Sequence, residues 1–423
     1  MYLYIAIVLY FGSICFLPWI LWPSRRNTAF FMQLPFYTLA YFGGAYYFLE
    51  IEKNKLYASN EGLDLYASLL LVSTCFFVVF YIVGYFHQGW VTRTFQGMLN
   101  YFKACHIDAV TRFSYVVALL TILLFSISFW GMDSIPAFAD NPLLAKFGGG
   151  EYNESYRYVA VFYRSALILA TISVIMLLLR WGISRHKYII IFLLLALFLC
   201  MVLSLRRSLV FGGFFTVLFS YMALQSKVRY GTVVLVYFLI FLLGSASNDI
   251  FFYLIGLQDA VSWEAVFRGV PDIADQVWFL TAWNDGHWDY TYGFTLIGGL
   301  VPFNFDYNMG AYTLKVIGSQ AGETASGGFR LPLPILGYIS FGWIGVVLFT
   351  ALSAYIEGSV LFALKNSLQE ASPSDFMVLN TLFIPFVVSS LGTIIYGVTL
   401  DKVFALCVVC LLGRLACKKG IDG

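Results

Sequence analysis

The chain has 423 residues, of which 60% are hydrophobic and only 11% are charged. Its mean hydropathy of +0.81 excludes a soluble globular protein, because a folded chain of this size could not bury so much apolar surface. The net charge of +2 gives no basis for binding nucleic acid, since the basic residues fall in short connectors and form no patch.

Repeated apolar runs of about 17–25 residues predict an all-α polytopic membrane protein. We expect about eleven transmembrane helices in a single integral membrane domain, residues 1–423. The expected spans, in chain order, are Tyr2–Leu21, Ala29–Leu49, Leu65–Phe86, Phe113–Trp130, Val159–Leu179, Tyr188–Ser204, Leu209–Leu224, Thr232–Ala246, Leu333–Phe362, Phe376–Gly397 and Val403–Leu415.

The basic residues predict the orientation of these spans. If the C-terminus lies in the cytoplasm, the inner side carries fourteen basic residues and few acids, with Glu357 near that side, as the positive-inside rule requires. The odd number of spans then places the N-terminus on the outer side. The fourteen residues are Arg25, Arg26, Arg93, Lys103, Arg112, Arg180, Arg185, Lys187, Lys227, Arg229, Lys365, Arg414, Lys418 and Lys419.

One long polar interval, residues 247–331, separates the eighth and ninth spans and is expected on the outer side. It is acidic, and its only cations are Arg268, Lys315 and Arg330. It is also rich in aromatic residues, which predicts a segment that lies at the membrane interface or packs over the helices. We interpret it as a lid over a lipid-linked substrate. The alternative is a folded cap without a catalytic role.

Two adjacent arginines, Arg206 and Arg207, form the short turn between the sixth and seventh spans. Both flanking helices are apolar for a full span, so the turn should hold these arginines at the outer membrane surface, against the positive-inside preference. A guanidinium group presents a planar fork of donors that suits phosphate oxygens. The alternative is that both arginines snorkel to ordinary lipid phosphates.

A second pair of arginines, Arg157 and Arg164, lies at the expected outer end of the fifth span. Seven residues are about two helical turns, so both side chains should leave one helix face roughly 10 Å apart. Arg164 falls about one turn inside the apolar stretch, where an unpaired charge is costly. The pair could bind an anionic substrate or a loop carboxylate. An interfacial anchor belt explains it equally well.

A polar cluster, Trp283-Asn284-Asp285-Gly286-His287-Trp288-Asp289-Tyr290, lies within the long interval. His287 is a potential general base between Asp285 and Asp289, because an oriented histidine or carboxylate can remove a hydroxyl proton. The indole faces of Trp283 and Trp288 suit sugar rings. The spacing of the cluster matches no strong metal-ligand pattern. The alternative is a polar turn between interfacial segments.

Two short motifs resemble a known family. Ser204-Leu205-Arg206-Arg207-Ser208 is similar to the Ser-x-Arg turn between two helices of O-antigen polymerases and ligases. The segment Gly327–Gly345, with Phe341-Gly342-Trp343-Ile344-Gly345, resembles the part that closes their large outer loop and opens the next helix. Tyr338 stands where many members carry a glutamate. The helix count and the late loop extend the resemblance to most of the chain.

The resemblance implies a GT-C-like membrane glycosyltransferase in the bacterial inner membrane, with a large periplasmic loop between helices 8 and 9. The N-terminus would then be periplasmic and the C-terminus cytoplasmic. The implied reaction transfers a glycan from undecaprenyl diphosphate to a sugar hydroxyl of the next lipid-linked repeat unit, with inversion at the anomeric carbon. Related ligases imply no metal or nucleotide cofactor. A chain-length regulator and a flippase are open as protein partners.

We therefore predict an O-antigen or exopolysaccharide repeat-unit polymerase that binds undecaprenyl-diphosphate-linked oligosaccharide at the bilayer surface. His287, Asp285 and Asp289 are the candidates for activating the acceptor hydroxyl. The candidates for binding the diphosphate are Arg206, Arg207, Arg330, Arg157, Arg164 and Arg268.

Two alternatives are open. An O-antigen ligase would attach finished glycan to a lipid core and would share the same sequence features. A flippase or transporter of lipid-linked oligosaccharide would favour twelve or more spans, ionisable groups at mid-helix and short outer loops.

Overall fold

The computed structural model describes residues 2–28, 30–31, 59–103, 113–205, 208–240, 273–298, 307–318 and 328–383, together with a few isolated residues. Within these ranges the only regular secondary structure is helix. The longer helices are α1 (Tyr2–Leu21), α2 (Asn60–Phe86), α3 (Trp90–Lys103), α4 (Ser114–Gly131), α5 (Asn153–Trp181), α6 (Lys187–Leu203), α7 (Ser208–Leu224), α8 (Tyr230–Ile240), α9 (Ile273–Asp285), α10 (Met309–Val316) and α11 (Leu333–Gln369). The short ones are Pro136–Phe138, Pro142–Phe147, Gly150–Tyr152, Phe294–Ile297, Pro373–Val378 and the π-helix Leu379–Phe383.

Five of the described helices, α1, α2, α4, α5 and α11, are long and apolar enough to cross a membrane. Three shorter apolar helices, α6, α7 and α8, accompany them. The all-α class and the presence of several candidate membrane spans are therefore confirmed. The predicted spans Ala29–Leu49, Phe376–Gly397 and Val403–Leu415 fall largely or wholly outside the described residues.

The helix ends differ from the predicted span ends because hydropathy detects only the apolar part of a helix. α2 begins at Asn60, before the predicted Leu65, because the hydroxyl of Ser59 caps it by accepting from the Gly62 amide at 2.9 Å. α5 begins at Asn153 with a polar first turn, before the predicted Val159. α11 continues past the predicted Phe362 to Gln369.

The chain folds into two compact units, each assembled from three separate stretches of sequence. The first comprises Met1–Thr94, Met222–Thr295 and Phe329–Lys365, and the second comprises Phe95–Tyr221, Leu296–Gly328 and Asn366–Gly423. The long interval predicted as a lid therefore contributes to both units: its residues up to Thr295 and from Phe329 belong to the first, and Leu296–Gly328 belongs to the second.

In the first unit, α1, α2 and α11 run in the same direction. The Tyr85 hydroxyl near the end of α2 donates to the carbonyl of Leu21, the last residue of α1, at 3.0 Å. Between α2 and α11, the Thr350 hydroxyl donates to Ser73 Oγ at 3.2 Å, and the Ser359 hydroxyl donates to the Gly84 carbonyl at 3.1 Å. A common direction is expected of the first, third and ninth predicted spans, which all have odd numbers.

Glycines bring the backbones of α2 and α11 close together. A Cβ at Gly84 would lie 2.1 Å from the Tyr355 carbonyl oxygen, and one at Gly358 would lie 2.1 Å from the Tyr81 carbonyl oxygen. No other residue fits at either position without a shift of the backbone. Small residues are common where membrane helices approach closely.

α11 is broken at Phe341–Gly342, within the predicted ninth span Leu333–Phe362. Phe341 (φ −145°, ψ 24°) and Gly342 (φ 62°, ψ −149°) have non-helical backbone angles. A Cβ at Gly345 would lie 2.0 Å from the Gly337 carbonyl oxygen, whereas residues eight apart in a straight helix are separated by about 12 Å. The chain therefore turns sharply between a short helix, residues 333–340, and a long one, residues 343–369.

In the second unit, α4 and α5 pack antiparallel. The Thr121 and Ser173 hydroxyls lie 2.9 Å apart near the middle of the two helices, and the Arg180 guanidinium donates to the Thr111 carbonyl at 2.9 Å near one end. Around them lies an apolar core to which α6 also contributes. This core contains Val117, Leu124, Phe125, Tyr156, Tyr163, Leu169, Ile172, Met176 and Met201.

The Phe341–Gly342 turn depends on the close approach of Gly337 and Gly345. Gly345→Ala should lower the melting temperature of the purified protein, because overpacking of this kind costs about 1–3 kcal/mol. The measurement is thermal unfolding in detergent, followed by tryptophan fluorescence. Gly212→Ala is the matched control in α7, since a Cβ there meets nothing within 4 Å. Equal melting of Gly345→Ala and wild type would contradict the sharp turn.

Candidate functional site

Helix α9, within the predicted lid, packs on the first turns of α2. The Tyr66 hydroxyl donates to Gln276 Oε1 at 2.7 Å, and Gln276 Nε2 donates to the Arg330 carbonyl at 3.1 Å. Near the other end of α9, the Ser59 amide donates to Thr281 Oγ1 at 3.4 Å. Gln276 is buried, so its two hydrogen bonds fix α9 to α2 and to the chain that leads into α11.

His287 ends α9 with a left-handed backbone conformation, at φ 47°. The His287 amide donates to the Asn284 carbonyl at 3.2 Å, and the Trp288 amide donates to the Trp283 carbonyl at 3.3 Å. This pair of hydrogen bonds is the Schellman motif, in which glycine usually occupies the left-handed position. A histidine there is strained, and such strain is often found at functional sites.

The three predicted acceptor-side groups, Asp285, His287 and Asp289, are exposed. Among the described residues, neither carboxylate lies within hydrogen-bond or ion-pair distance of the imidazole. The structure thus places these side chains close together along the chain and gives no histidine–carboxylate pair. In the described part of the chain, no group of three or more His, Cys, Asp or Glu side chains could hold a metal ion.

The backbone that follows the Trp283–Tyr290 segment is bonded to the broken part of α11. The Thr291 amide donates to the Ile339 carbonyl at 2.8 Å, and the Tyr292 amide donates to the Ser340 carbonyl at 3.1 Å. The break leaves these carbonyls without the helical partners they would otherwise have. Two residues that are about 50 positions away in the sequence therefore position the segment that carries His287.

Four aromatic rings form a continuous cluster beside this connection. Tyr338 is its centre, with ring centroids 5.6 Å from Trp283, 6.5 Å from Tyr290 and 5.6 Å from Trp343. Trp283 is 6% exposed, whereas Tyr290 is 41% and Trp343 is 44% exposed. Sequence reasoning missed Tyr338 and Trp343 as members of the site. The Phe-Gly-x-x-Gly motif beside them was the available signal.

The predicted arginine pair of the second unit lies on α5. Arg157 and Arg164 are both exposed and belong to one uninterrupted helix, as the spacing predicted. Arg164 Nε lies 3.5 Å from the Tyr156 hydroxyl, and its guanidinium carbon lies 5.9 Å from the centroid of the Tyr156 ring. Tyr156 thus supports the guanidinium and leaves it accessible.

The residue that precedes Arg164 on α5 anchors the turn that follows α6. The hydroxyl of Tyr163, which is fully buried, donates to the Ser204 carbonyl at 3.2 Å. Leu205 then takes a left-handed conformation, at φ 55°. Arg206 and Arg207 come next in the chain and, like Arg268, lie outside the described residues. Of the predicted arginines in the first unit, the structure describes Arg330, whose side chain is exposed.

One carboxyl group lies well inside the long segment of α11. The sequence predicted Glu357 near the inner end of a span that ends at Phe362, but α11 continues to Gln369, so Glu357 lies near the middle of residues 343–369. It is exposed, and Oε1 accepts a hydrogen bond from the Ser353 hydroxyl at 2.9 Å. An ionisable group at this depth of a membrane helix is costly.

The left-handed conformation of His287 allows its structural and chemical roles to be separated. His287→Gly should raise the melting temperature relative to His287→Ala by relieving about 1–2 kcal/mol of backbone strain. Both variants lack the imidazole, so both should lose any activity that requires it. Thermal unfolding in detergent measures the difference, and equal melting temperatures of the two variants would contradict the assigned backbone conformation.

Comparisons with protein-family models, with curated proteins and with solved structures found no match to this chain.

Proposed function

We propose that the chain is a glycosyltransferase of the bacterial inner membrane that polymerises undecaprenyl-diphosphate-linked repeat units into O-antigen or exopolysaccharide. The observation that carries this proposal is the arrangement around Tyr163. Its hydroxyl holds the turn that leads to Arg206 and Arg207, while the adjacent Arg164 projects from the same level of α5. Arg206 and Arg207 follow this turn in the sequence, and we propose that they and Arg164 bind one anionic ligand at the expected outer surface.

These arginines suit a diphosphate that leaves during the reaction. The acceptor hydroxyl attacks the anomeric carbon, the bond between that carbon and the diphosphate oxygen breaks, and negative charge grows on the diphosphate. Fixed guanidinium groups stabilise this charge more in the transition state than in the ground state. A resident metal ion is then not required, since diphosphate is a good leaving group when its charge is neutralised.

The exposed groups of the Trp283–Tyr290 segment suit the acceptor sugar. His287, Asp285 or Asp289 accepts the proton that the attacking hydroxyl releases. Their accessibility supports contact with a substrate, and their lack of mutual hydrogen bonds leaves each free to bind a hydroxyl group. Arg330, which precedes α11, is the cation of the same unit that could bind a substrate phosphate.

The proposal includes the partners and the orientation. The substrate is a lipid-linked oligosaccharide held at the outer surface of the bilayer, with the N-terminus periplasmic and the C-terminus cytoplasmic. The common direction of α1, α2 and α11 matches the odd numbers of the corresponding spans and so supports their relative orientation, while the side assigned to each terminus rests on the positive-inside rule.

The arginine role is tested by glycan length in a deletion strain complemented with variants. Arg164→Gln, Arg206→Ala and Arg207→Ala should each reduce long-chain glycan by about 100-fold or more at normal protein level, because each removes a donor to the leaving group. Arg185→Gln is the control, as Arg185 is also exposed but follows the opposite end of α5. A full ladder of chain lengths from all three variants would overturn the diphosphate assignment.

The same deletion strain separates the polymerase from the ligase. Single-repeat lipopolysaccharide in the deletion strain indicates a lost polymerase. Unattached polymer indicates a lost ligase, which would retain the arginine chemistry but change the acceptor.

Glu357 favours a second candidate, a transporter of lipid-linked oligosaccharide. Carboxyl groups near the middle of a membrane helix are frequent in proton-coupled transport. Against this candidate, the only other charged residue of α11 is Lys365, near the end of the helix, and the interval before α11 is long for a transporter.

The polymerase proposal predicts that Glu357→Gln leaves the distribution of glycan lengths unchanged, because glutamine retains an acceptor for the Ser353 hydroxyl. The measurement is gel banding of glycan from the complemented deletion strain. Loss of polymer together with lipid-linked repeat units confined to the cytoplasmic leaflet would instead support transport. Accessibility of those units to periodate in intact spheroplasts determines the leaflet.

A further inference from the structure

We propose that Tyr290 and Trp343, supported by Tyr338, form a platform on which a sugar ring of the acceptor oligosaccharide stacks. This inference rests on the proposed function and names the part of the substrate that the Trp283–Tyr290 segment binds. It replaces the expectation that the indole of Trp283 would stack on a sugar, because that indole is only 6% exposed.

The rings available for stacking are the exposed members of the aromatic cluster. Tyr290 and Trp343 are 41% and 44% exposed, and both meet the half-buried ring of Tyr338 edge to face, with interplanar angles of 86° and 71°. In edge-to-face packing, one ring is contacted only at its edge and the other only on one face, so each ring keeps at least one face uncovered by its partner. Each exposed residue can therefore present an aromatic surface to a ligand.

The platform is rigidly positioned, which lowers the entropy cost of binding. Tyr290 is followed by Thr291, whose amide is bonded to the Ile339 carbonyl. Trp343 begins the long segment of α11 directly after Gly342. A Cβ at Gly342 would lie 3.1 Å from the Tyr290 hydroxyl oxygen, so this glycine also provides the space that Tyr290 occupies.

The charges around the platform select the kind of ligand. Asp289 directly precedes Tyr290, and Asp285 lies four residues before Asp289 as the last residue of α9; both carboxylates are exposed. Carboxylates accept hydrogen bonds from hydroxyl groups and repel phosphates. A lipid headgroup phosphate is therefore a poor ligand here. A ring with an apolar face and a rim of hydroxyl groups, which is a neutral sugar, fits both the aromatic surface and the carboxylates.

The experiment is site-specific photo-crosslinking in the strain that makes the natural glycan. We would incorporate p-benzoyl-L-phenylalanine in place of Tyr290, of Trp343 and, as a control, of Tyr2, which is 50% exposed at the start of α1 in the same unit. After irradiation, covalent glycan on the purified protein is detected by periodate staining. We expect adducts at positions 290 and 343 and none at position 2.

Two results would overturn the platform. Equal adducts at all three positions would show that glycan contacts the protein surface non-specifically. Absence of adducts at 290 and 343 in a polymer-producing strain would show that glycan does not reach these residues. A second readout uses Trp343→Ala and Trp343→Phe. Loss of one stacking surface should raise the apparent KM for lipid-linked acceptor roughly 2–10-fold with little change in kcat, and phenylalanine should restore it.

The outcome for the platform is distinguishable from the outcome for the polymerase. If glycan adducts form at positions 290 and 343 but deletion of the gene leaves glycan length unchanged, the platform is supported and the polymerase function is contradicted. Loss of the ladder on deletion, combined with a normal KM for Trp343→Ala and absent adducts, would keep the polymerase and remove the platform.

Discussion

A break in a helix leaves backbone carbonyls and amides without their helical hydrogen-bond partners, and this constraint organises the part of the first unit that contains the candidate site. At Phe341–Gly342 the freed carbonyls of Ile339 and Ser340 accept hydrogen bonds from the amides of Thr291 and Tyr292. The hydrogen bonds that satisfy the break also fix the chain that carries His287 and Tyr290. The same two hydrogen bonds therefore stabilise the broken helix and fix the geometry of the candidate site.

The charged groups are divided between the two units. In the described structure, the second unit combines an exposed guanidinium at Arg164 with a buried tyrosine, Tyr163, that holds a neighbouring turn by its backbone. The first unit offers exposed carboxylates and an imidazole at the end of α9.

Hydropathy predicted the five described helices that are long and apolar enough to cross a membrane, but it did not predict their ends or breaks. The runs of apolar residues located α2 and α5, but α2 begins at a cap formed by Ser59 and α5 begins with a polar first turn, and a hydropathy window weighs neither feature. Hydropathy could not predict the break in α11, because a single glycine lowers the mean hydropathy little. The break depends instead on the positive φ of Gly342, a conformation that glycine adopts readily.

The sequence predicted those parts of the candidate site whose residues are adjacent in the chain, but not the contacts between residues that are distant in the chain. The cluster around His287 is visible as a polar stretch, yet its left-handed conformation depends on hydrogen bonds at the end of α9. Trp343 and Tyr290 belong to one cluster because both rings pack against Tyr338, on the other side of the break in α11 from Trp343. No local sequence pattern predicts this arrangement. Burial likewise reversed the expected role of Trp283, which packs as core.

The glycines between α2 and α11 have a mechanical consequence. Because the two backbones meet at Gly84 and Gly358, neither helix can slide or rotate against the other without driving its backbone into a carbonyl oxygen. We therefore expect the two helices to move together as one rigid body. The hydrogen bonds of Thr291 and Tyr292 to the carbonyls of Ile339 and Ser340 then tie residues 333–340 to the segment that carries His287.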